Sequence, residues 1–74
     1  MSNFGERITE LRKSKNLTQK EFAEILNITE RAYQNYEYDS RHPNYEGLIY
    51  IADYFNVSLD YLVGRTDDPI LHTL

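Results

Sequence analysis

Apolar residues in this chain recur three and four positions apart, which is the spacing of one face of an α-helix. The first such stripe is Phe4, Ile8 and Leu11. Four further stripes follow along the chain: Phe22, Ala23 and Leu26; Ala32, Tyr33 and Tyr36; Leu48, Ile51, Ala52 and Phe55; Leu59, Leu62 and Val63. No stretch alternates polar and apolar residues over the length of a strand. The pattern predicts five helices, over residues 3–14, 18–26, 30–37, 45–55 and 58–63.

Residues that favour helix ends stand at these predicted boundaries. Thr18 is followed three positions later by Glu21, which predicts a capping box. Thr29 directly precedes the third predicted helix, and Ser58 stands at the start of the fifth. Gly64 follows the fifth helix, where a left-handed residue commonly ends a helix. The predicted linkers are only two to seven residues long, so we expect one compact all-α bundle of five helices. Residues 1–66 form this domain, and residues 67–74 are predicted to be a short C-terminal tail.

Composition narrows the class of protein further. A chain of 74 residues makes one domain. It has no cysteine, which excludes disulfides and thiolate zinc sites. Its two histidines, His42 and His72, are far apart in the sequence, so we expect neither a metal site nor a cofactor. There is no apolar run long enough to span a bilayer and no apolar signal segment at the N-terminus, and we therefore expect a cytoplasmic protein.

The net charge of −4 argues mildly against a nucleic-acid partner, but the charges are unevenly distributed. Residues 1–20 carry five basic and two acidic side chains, whereas residues 21–74 carry three basic and ten acidic ones. Any surface that faces DNA must therefore be a local basic patch on an acidic body. Screening over about 8 Å at physiological salt allows such a patch to act independently.

The second and third predicted helices are separated only by residues 27–29. A break this short predicts the steep angle of a helix-turn-helix, although an ordinary antiparallel helical hairpin can also use a short loop. The outward side of the third helix carries Glu30, Arg31, Gln34 and Asn35. Arginine, glutamine and asparagine can pair with base edges in the major groove. From composition alone, a DNA-reading face and a merely solvated face are about equally favoured.

Several segments together resemble the Cro/phage-repressor type of helix-turn-helix domain, the XRE family. They are GERITELRKSKNLTQKEFAEILNIT, the YE that ends the third helix, the RHP after it and IADYFNVSLDYLVGRTDDP. The resemblance covers nearly the whole chain. It implies a lambda-repressor-like fold and sequence-specific binding of double-stranded DNA by a bacterial or phage-encoded transcriptional regulator that is nucleoid-associated when bound. Within the family, a repressor that binds a palindromic operator as a dimer is the favoured expectation.

The resemblance also implies roles for individual residues. The base-contacting set would be Glu30, Arg31, Gln34 and Asn35. The phosphate-contacting set would be Thr18, Gln19, Thr29, Tyr38, Ser40, Arg41 and His42. Arg12 and Glu37 would form a structural ion pair between the first and third helices. For Glu30, stabilisation of the helix start is the favoured role over base contact, since acidic residues suit the first turn of a helix.

The chain departs from the family after the third helix, where glycine is usual and Tyr38-Asp39-Ser40 stands instead. Aspartate adopts the left-handed conformation less easily than glycine. We expect the Asp39 carboxylate to lie near the DNA phosphates and to weaken binding there.

Seven tyrosines are many for one small domain, and exposed aromatic side chains are enriched in protein interfaces. We therefore predict a homodimer through the last two helices and the tail. The predicted interface residues are Ile49, Tyr50, Tyr54, Tyr61, Ile70 and Leu71. The simpler alternative is a core too small to cover every tyrosine.

Two other classes of function stay open. The same fold could be a protein–protein interaction module or an antitoxin-type partner, which the acidic charge would allow. An enzyme has little support, because no glycine-rich phosphate loop, cysteine nucleophile or metal-ligand spacing is present. We expect no small-molecule substrate. The chain is either a stand-alone regulator or one domain of a longer protein.

Overall fold

The computed structural model of the chain describes residues 3–70, which form five helices and no strand. The helices are α1 (Phe4–Ser14), α2 (Gln19–Ile25), α3 (Glu30–Glu37), α4 (Tyr45–Phe55) and α5 (Leu59–Leu62). The predicted all-α class is confirmed, and the helix bounds agree with the prediction to within one residue. The fifth helix is a single turn, and no helix in this part of the chain has the length and apolarity to cross a membrane.

Every helix begins at a polar residue whose side chain accepts a hydrogen bond from the first turn. These N-cap residues are Asn3, Thr18, Thr29, Asn44 and Ser58. At Thr18 the capping box is complete, because the Glu21 carboxylate also accepts from the Thr18 backbone N–H at 2.8 Å. Such caps satisfy backbone donors that have no partner inside the helix. A local side chain therefore caps the start of each helix.

A residue with positive φ follows every helix within two residues of its end. These residues are Asn16, Asn27, Asp39, Asn56 and Gly64. Gly64 was predicted in this role, whereas the three asparagines were not. Asparagine and aspartate tolerate the left-handed region because their short polar side chains can bond locally. Behind Asn27, the N–H of Ile28 returns to the Ala23 carbonyl at 3.0 Å, the closing bond of a Schellman motif.

The core joins α1, α2, α3 and α4 around Phe22, which is fully buried. The Phe22 ring lies edge-on to Tyr33 of α3, with centroids 5.3 Å apart, and 5.3 Å from Phe55 of α4. The buried apolar residues are Phe4, Ile8, Phe22, Ala23, Tyr33, Ile51, Ala52, Phe55, Val57 and Leu62. The predicted stripes supply all of these except Val57, which lies in the linker before α5. The aromatic contacts hold α3 at a fixed angle to α2.

The segment after α5 contacts the helices rather than leaving them. Asp67 pairs with Arg7 of α1 at 3.0 Å, and the Arg7 guanidinium lies 3.8 Å from the ring centroid of Tyr61. The Ser58 N–H donates to the Pro69 carbonyl at 3.1 Å. Burial disfavours the charged guanidinium, but the contacts with Tyr61 and Asp67 outweigh it and raise the pKa of Arg7. The domain boundary at residue 66 stays a prediction, yet contacts with the body extend to Pro69.

Candidate nucleic-acid interface

The turn between α2 and α3 is short because two local motifs meet there. Asn27 ends α2 in the left-handed conformation, and Thr29 begins α3 two residues later. Ile28, between them, is partly buried against the core. The Thr29 hydroxyl oxygen accepts from the Ala32 N–H at 3.1 Å, which caps α3. These contacts form the predicted helix-turn-helix and leave the outward side of α3 uncovered at its N-terminal end.

The carboxylate of Glu37, at the end of α3, is the centre of a polar network. Arg12 of α1 donates to it through Nε at 2.7 Å, and Gln19 of α2 donates through Nε2 at 2.9 Å. The Tyr33 hydroxyl donates to the same carboxylate. Arg12 also donates through a second nitrogen to the Leu17 carbonyl at 2.7 Å. The Arg12–Glu37 pair implied by the family resemblance is thus present, with side chains only 10% and 8% exposed.

Ionisation in this network is set by competition between burial and hydrogen bonding. Burial alone would raise the pKa of Glu37, but the hydrogen bonds from Arg12, Tyr33 and Gln19 outweigh it, so the pKa is lowered. Burial and the neighbouring Glu37 carboxylate raise the pKa of the Tyr33 hydroxyl, which therefore keeps its proton and stays a donor. Glu37 accordingly stays charged and connects three helices.

The amide of Gln19 links this network to the middle of α3. Its Nε2 donates to Glu37, while its Oε1 accepts from Gln34 Nε2 at 3.3 Å. Gln34 is therefore turned toward α2, away from Arg31 and Asn35. Both glutamines brace α3 against α2 in this structure. The family resemblance implied this bracing for Gln19 together with a phosphate contact, whereas base contact was the predicted role of Gln34.

A second group of predicted site residues meets on the other side of α3. There, a cleft of about 500 Å³ separates the helix from the loop that follows it. The residues that line this cleft are Thr29, Arg31, Ala32, Asn35, Tyr36, Arg41 and His42. We call it the α3–loop cleft. Two arginines, a histidine and an asparagine line it, and no carboxylate does.

The remaining predicted residues surround this cleft or lie at helix ends. The Ser40 hydroxyl donates to the Asn35 side-chain oxygen at 3.3 Å, so it helps to hold that amide in place. Tyr38 is 76% exposed at the end of α3, and Glu30 is exposed in its first turn. Thr18 uses its hydroxyl oxygen to cap α2, which leaves the hydroxyl proton available for another acceptor.

Asp39 has a role that the sequence did not indicate. It ends α3 at φ 60°, and its two carboxylate oxygens lie 3.2 and 3.1 Å from the N–H of Gly5. The carboxylate therefore caps the N-terminus of α1, where a negative charge is favourable. That the carboxylate also lies near the DNA phosphates stays a prediction. Its partner is 34 positions away in the sequence, and no local pattern connects the two.

The residues predicted for a dimer interface do not share one environment. Tyr50 and Ile70 are 51% and 62% exposed, whereas Ile49 is half-buried. The Tyr54 ring packs against Phe22 and Phe55, and Tyr61 lies beneath the Arg7 guanidinium. Leu71 lies outside the described residues.

No cluster of potential metal ligands occurs within residues 3–70.

Comparison with known proteins identifies the family. A family model described as Helix-turn-helix matches residues 8–62, which run from the middle of α1 to the end of α5 and include the α2–α3 turn. The chain belongs to the XRE family of helix-turn-helix proteins.

Individual members of the XRE family agree with this assignment. The chain is 48% identical over 68 residues to the uncharacterized HTH-type transcriptional regulator YqaE of Bacillus subtilis, covering 90% of this chain and 59% of YqaE. It is 38% identical over 60 residues to the cryptic phage CTXphi transcriptional repressor RstR of Vibrio cholerae, covering 81% of this chain and 54% of RstR.

A solved structure has a similar fold. A transcriptional regulator from Listeria innocua matches with a TM-score of 0.79 at 37% identity, over 84% of this chain and 58% of that one. The chain thus spans between half and two thirds of the length of each of these three proteins. These relatives are regulators rather than enzymes, in agreement with the prediction that the chain is not an enzyme.

Proposed function

We propose that this chain binds a specific double-stranded DNA sequence and regulates transcription. The observation that carries the proposal is the α3–loop cleft, in which Arg31 and Asn35 of the helix face Arg41 and His42 of the loop. Arginine and asparagine pair with guanine and adenine edges in the major groove, and the cationic loop suits the phosphate backbone. Similarity to proteins named as transcriptional regulators supports the same function.

In the proposed complex, α3 enters the major groove, and the segments on its two sides bind the DNA phosphate backbone. The N-terminus of α2, with the Thr18 hydroxyl, offers donors to one phosphate. Arg41 and His42 lie on the other side of α3, next to Arg31. The Glu37 network holds α3 at one angle to α1 and α2, so the side chains that read bases need little reorganisation on binding.

The first test concerns Arg31. We expect Arg31→Ala to weaken binding to the selected site by about 1–3 kcal/mol and to relax discrimination at one base position, because a bidentate contact is lost. The site is obtained by selection from a random DNA pool, and affinities are measured by fluorescence anisotropy on the selected sequence and on single-base variants of it.

Arg65→Ala is the matched control, since it removes the same charge from an exposed arginine that does not line the cleft. We expect it to leave base discrimination unchanged. Normal affinity and discrimination in Arg31→Ala would show that α3 does not read bases through this side chain.

A protein-binding module remains the second candidate, because the body of the chain is acidic. The salt dependence of binding distinguishes DNA binding from a protein-binding function. Binding through several phosphates gives a log–log slope of about −0.9 per phosphate neutralised, so DNA affinity should fall steeply as salt is raised. A pool selection that enriches no sequence, together with a shallow salt dependence, would favour the protein-binding function.

We further propose that the regulator is a repressor that binds a palindromic operator as a homodimer. Its resemblance to RstR, a protein named as a repressor, supports the first part. One recognition helix reads few base pairs, and two-fold symmetry matches half-sites about 34 Å apart. Tyr50 of α4 and Ile70 of the C-terminal segment are both exposed, and we propose that they take part in the dimer contact.

Sedimentation tests the dimer. We expect the chain to form dimers at micromolar concentration or on operator DNA, and Tyr50→Glu to shift it to monomer because a charge would be desolvated in the contact. Tyr45→Glu alters a tyrosine that is 71% exposed on the same helix, outside the predicted set, and should leave the dimer intact. A monomer at high concentration, even with operator DNA present, would contradict the proposal.

A further inference from the structure

Asp39 contacts a second group besides the N-terminus of α1. Its Oδ1 atom lies 3.1 Å from Nε2 of His42, the histidine that lines the α3–loop cleft. The His42 ring lies edge-on to the ring of Phe4, with centroids 5.6 Å apart. The Asp39 side chain is 26% exposed and the His42 side chain 55%. One carboxylate therefore connects the start of α1, the end of α3 and a titratable ring that faces the proposed DNA surface.

This contact fixes which imidazole nitrogen carries the proton. An ionised carboxylate only accepts hydrogen bonds, so Nε2 must be the protonated nitrogen when the ring is neutral. Nδ1 is then the atom that takes up a second proton. No hydrogen bond to Nδ1 occurs within the part of the chain that the structure describes. Proton uptake therefore gives His42 a positive charge and a new donor without breaking its contact with Asp39.

The charges around the ring act in opposite directions. The groups that share the cleft with His42 are Arg31 and Tyr36 from α3 and Arg41 from the loop. The arginines oppose a further positive charge, whereas Asp39 favours it. From α1, the uncharged Phe4 ring packs against His42. A DNA phosphate brought into the cleft would add a second negative neighbour and shift this balance toward the protonated ring.

We propose that Asp39 is a positioning residue that holds His42 for a proton-linked contact with a DNA phosphate in the α3–loop cleft. The proposal rests on DNA binding as the proposed function and adds its regulation by pH. Each complex takes up part of a proton at His42, and DNA affinity therefore rises as the pH falls. The Asp39 carboxylate thus both caps α1 and orients the ring.

The experiment measures affinity for the selected DNA site between about pH 8 and about pH 6 at constant ionic strength, where histidine is the side chain that ordinarily titrates. It uses the full chain with His72 replaced by glutamine, so that one histidine remains. We expect affinity to rise about fivefold across this range, within the limit of tenfold per pH unit for one proton. Calorimetry in buffers of different ionisation enthalpy should show the matching proton uptake.

Two variants separate the roles of the pair. His42→Gln in the same background removes the titrating ring, and we expect its affinity to be nearly independent of pH. Asp39→Asn keeps an oxygen that can accept from the Gly5 N–H but loses the charge that favours protonated His42. We expect it to reduce the pH-dependent rise by about half or more while thermal unfolding shows a folded protein.

The outcomes are distinguishable. If DNA affinity does not change with pH while His42 is intact, the proton-linked contact is overturned but DNA binding is not. The same holds if the affinity of His42→Gln rises as much as that of the parent protein when the pH falls. An undiminished rise in Asp39→Asn would overturn the positioning role of Asp39. Failure of every variant to bind DNA at any pH would instead refute the proposed function.

Discussion

Arg12→Met lowers the free energy of unfolding by about 3–5 kcal/mol, because it leaves the buried carboxylate of Glu37 without its cation. That cost is large for a domain of this size, whose total stability is of the order of 5–10 kcal/mol. Tyr33 and Gln19 still donate to Glu37, but neither carries a charge. The Leu17 carbonyl also loses its partner. Chemical denaturation monitored by circular dichroism measures the loss.

Two controls identify the cause. Lys13→Met removes the same charge from an exposed residue of α1 and should change stability by less than about 0.5 kcal/mol. The double variant Arg12→Met, Glu37→Met replaces both charges with apolar side chains and should recover part of the loss. If Arg12→Met is as stable as Lys13→Met, the ion pair does not hold α3 in place.

The loss in Arg12→Met should also depend on pH. The pKa of Glu37 is lower in the folded protein than in the unfolded chain, so the ionised carboxylate stabilises the fold at every pH above the ordinary pKa of glutamate. This contribution is lost as the pH falls through the folded value. The difference in stability between the wild type and Arg12→Met should therefore shrink in acid.

Gly5→Ala should be the second most damaging change, with a loss of about 3 kcal/mol in the free energy of unfolding. A Cβ atom at Gly5 would collide with the Glu37 carbonyl oxygen and lie 2.7 Å from Oδ2 of Asp39. Glycine to alanine inside a helix ordinarily stabilises by about 0.5–1 kcal/mol, so the sign itself tests the close approach of α1 and α3. Thermal and urea unfolding measure it.

Gly47→Ala is the comparison for Gly5→Ala. A Cβ there would meet only side-chain atoms, Pro43 Cβ at 2.9 Å and Asn44 Oδ1 at 3.2 Å. We expect a smaller loss, because Pro43 lies in the loop before α4, whereas the Glu37 carbonyl belongs to the packed end of α3. Equal stability of wild type and Gly5→Ala would show that the two helices are not in close contact in solution.

Both changes act on the contact between α1 and the end of α3. Arg12 and Gly5 lie on α1, and both meet the C-terminal end of α3. At the same end of α3, Asp39 contacts His42, which lines the α3–loop cleft. DNA affinity should therefore fall together with stability in these variants, whereas Arg31→Ala should lower affinity alone.

The helices could be predicted from sequence because their signals are local. An apolar stripe needs only the helical period, and a cap such as Thr18 with Glu21 needs only three residues. The left-handed ends at Asn16, Asn27 and Asn56 were not predicted, although their signal is also local. Asparagine is common in many loops, so it marks a helix end less clearly than Gly64 does.

The candidate site, too, could be predicted from the sequence only in part. Periodicity placed Arg31 and Asn35 on the outward side of α3, and the structure brings both to one cleft with Arg41 and His42. The same periodicity placed Gln34 with them, but a glutamine side chain is long enough to reach either flank of a helix. Its contact with Gln19 depends on how α2 packs, which a helical pattern does not contain.

The sequence by itself determined the five helices, most of the core and the XRE family, because short-range periods, caps and motifs carry them. Only the tertiary structure decided what Asp39 does and how the Glu37 network is connected. The partners of these carboxylates are up to 34 positions away. Their positions follow from the packing of α1 against α3, because the free energy of a buried charge depends on every group the fold places around it.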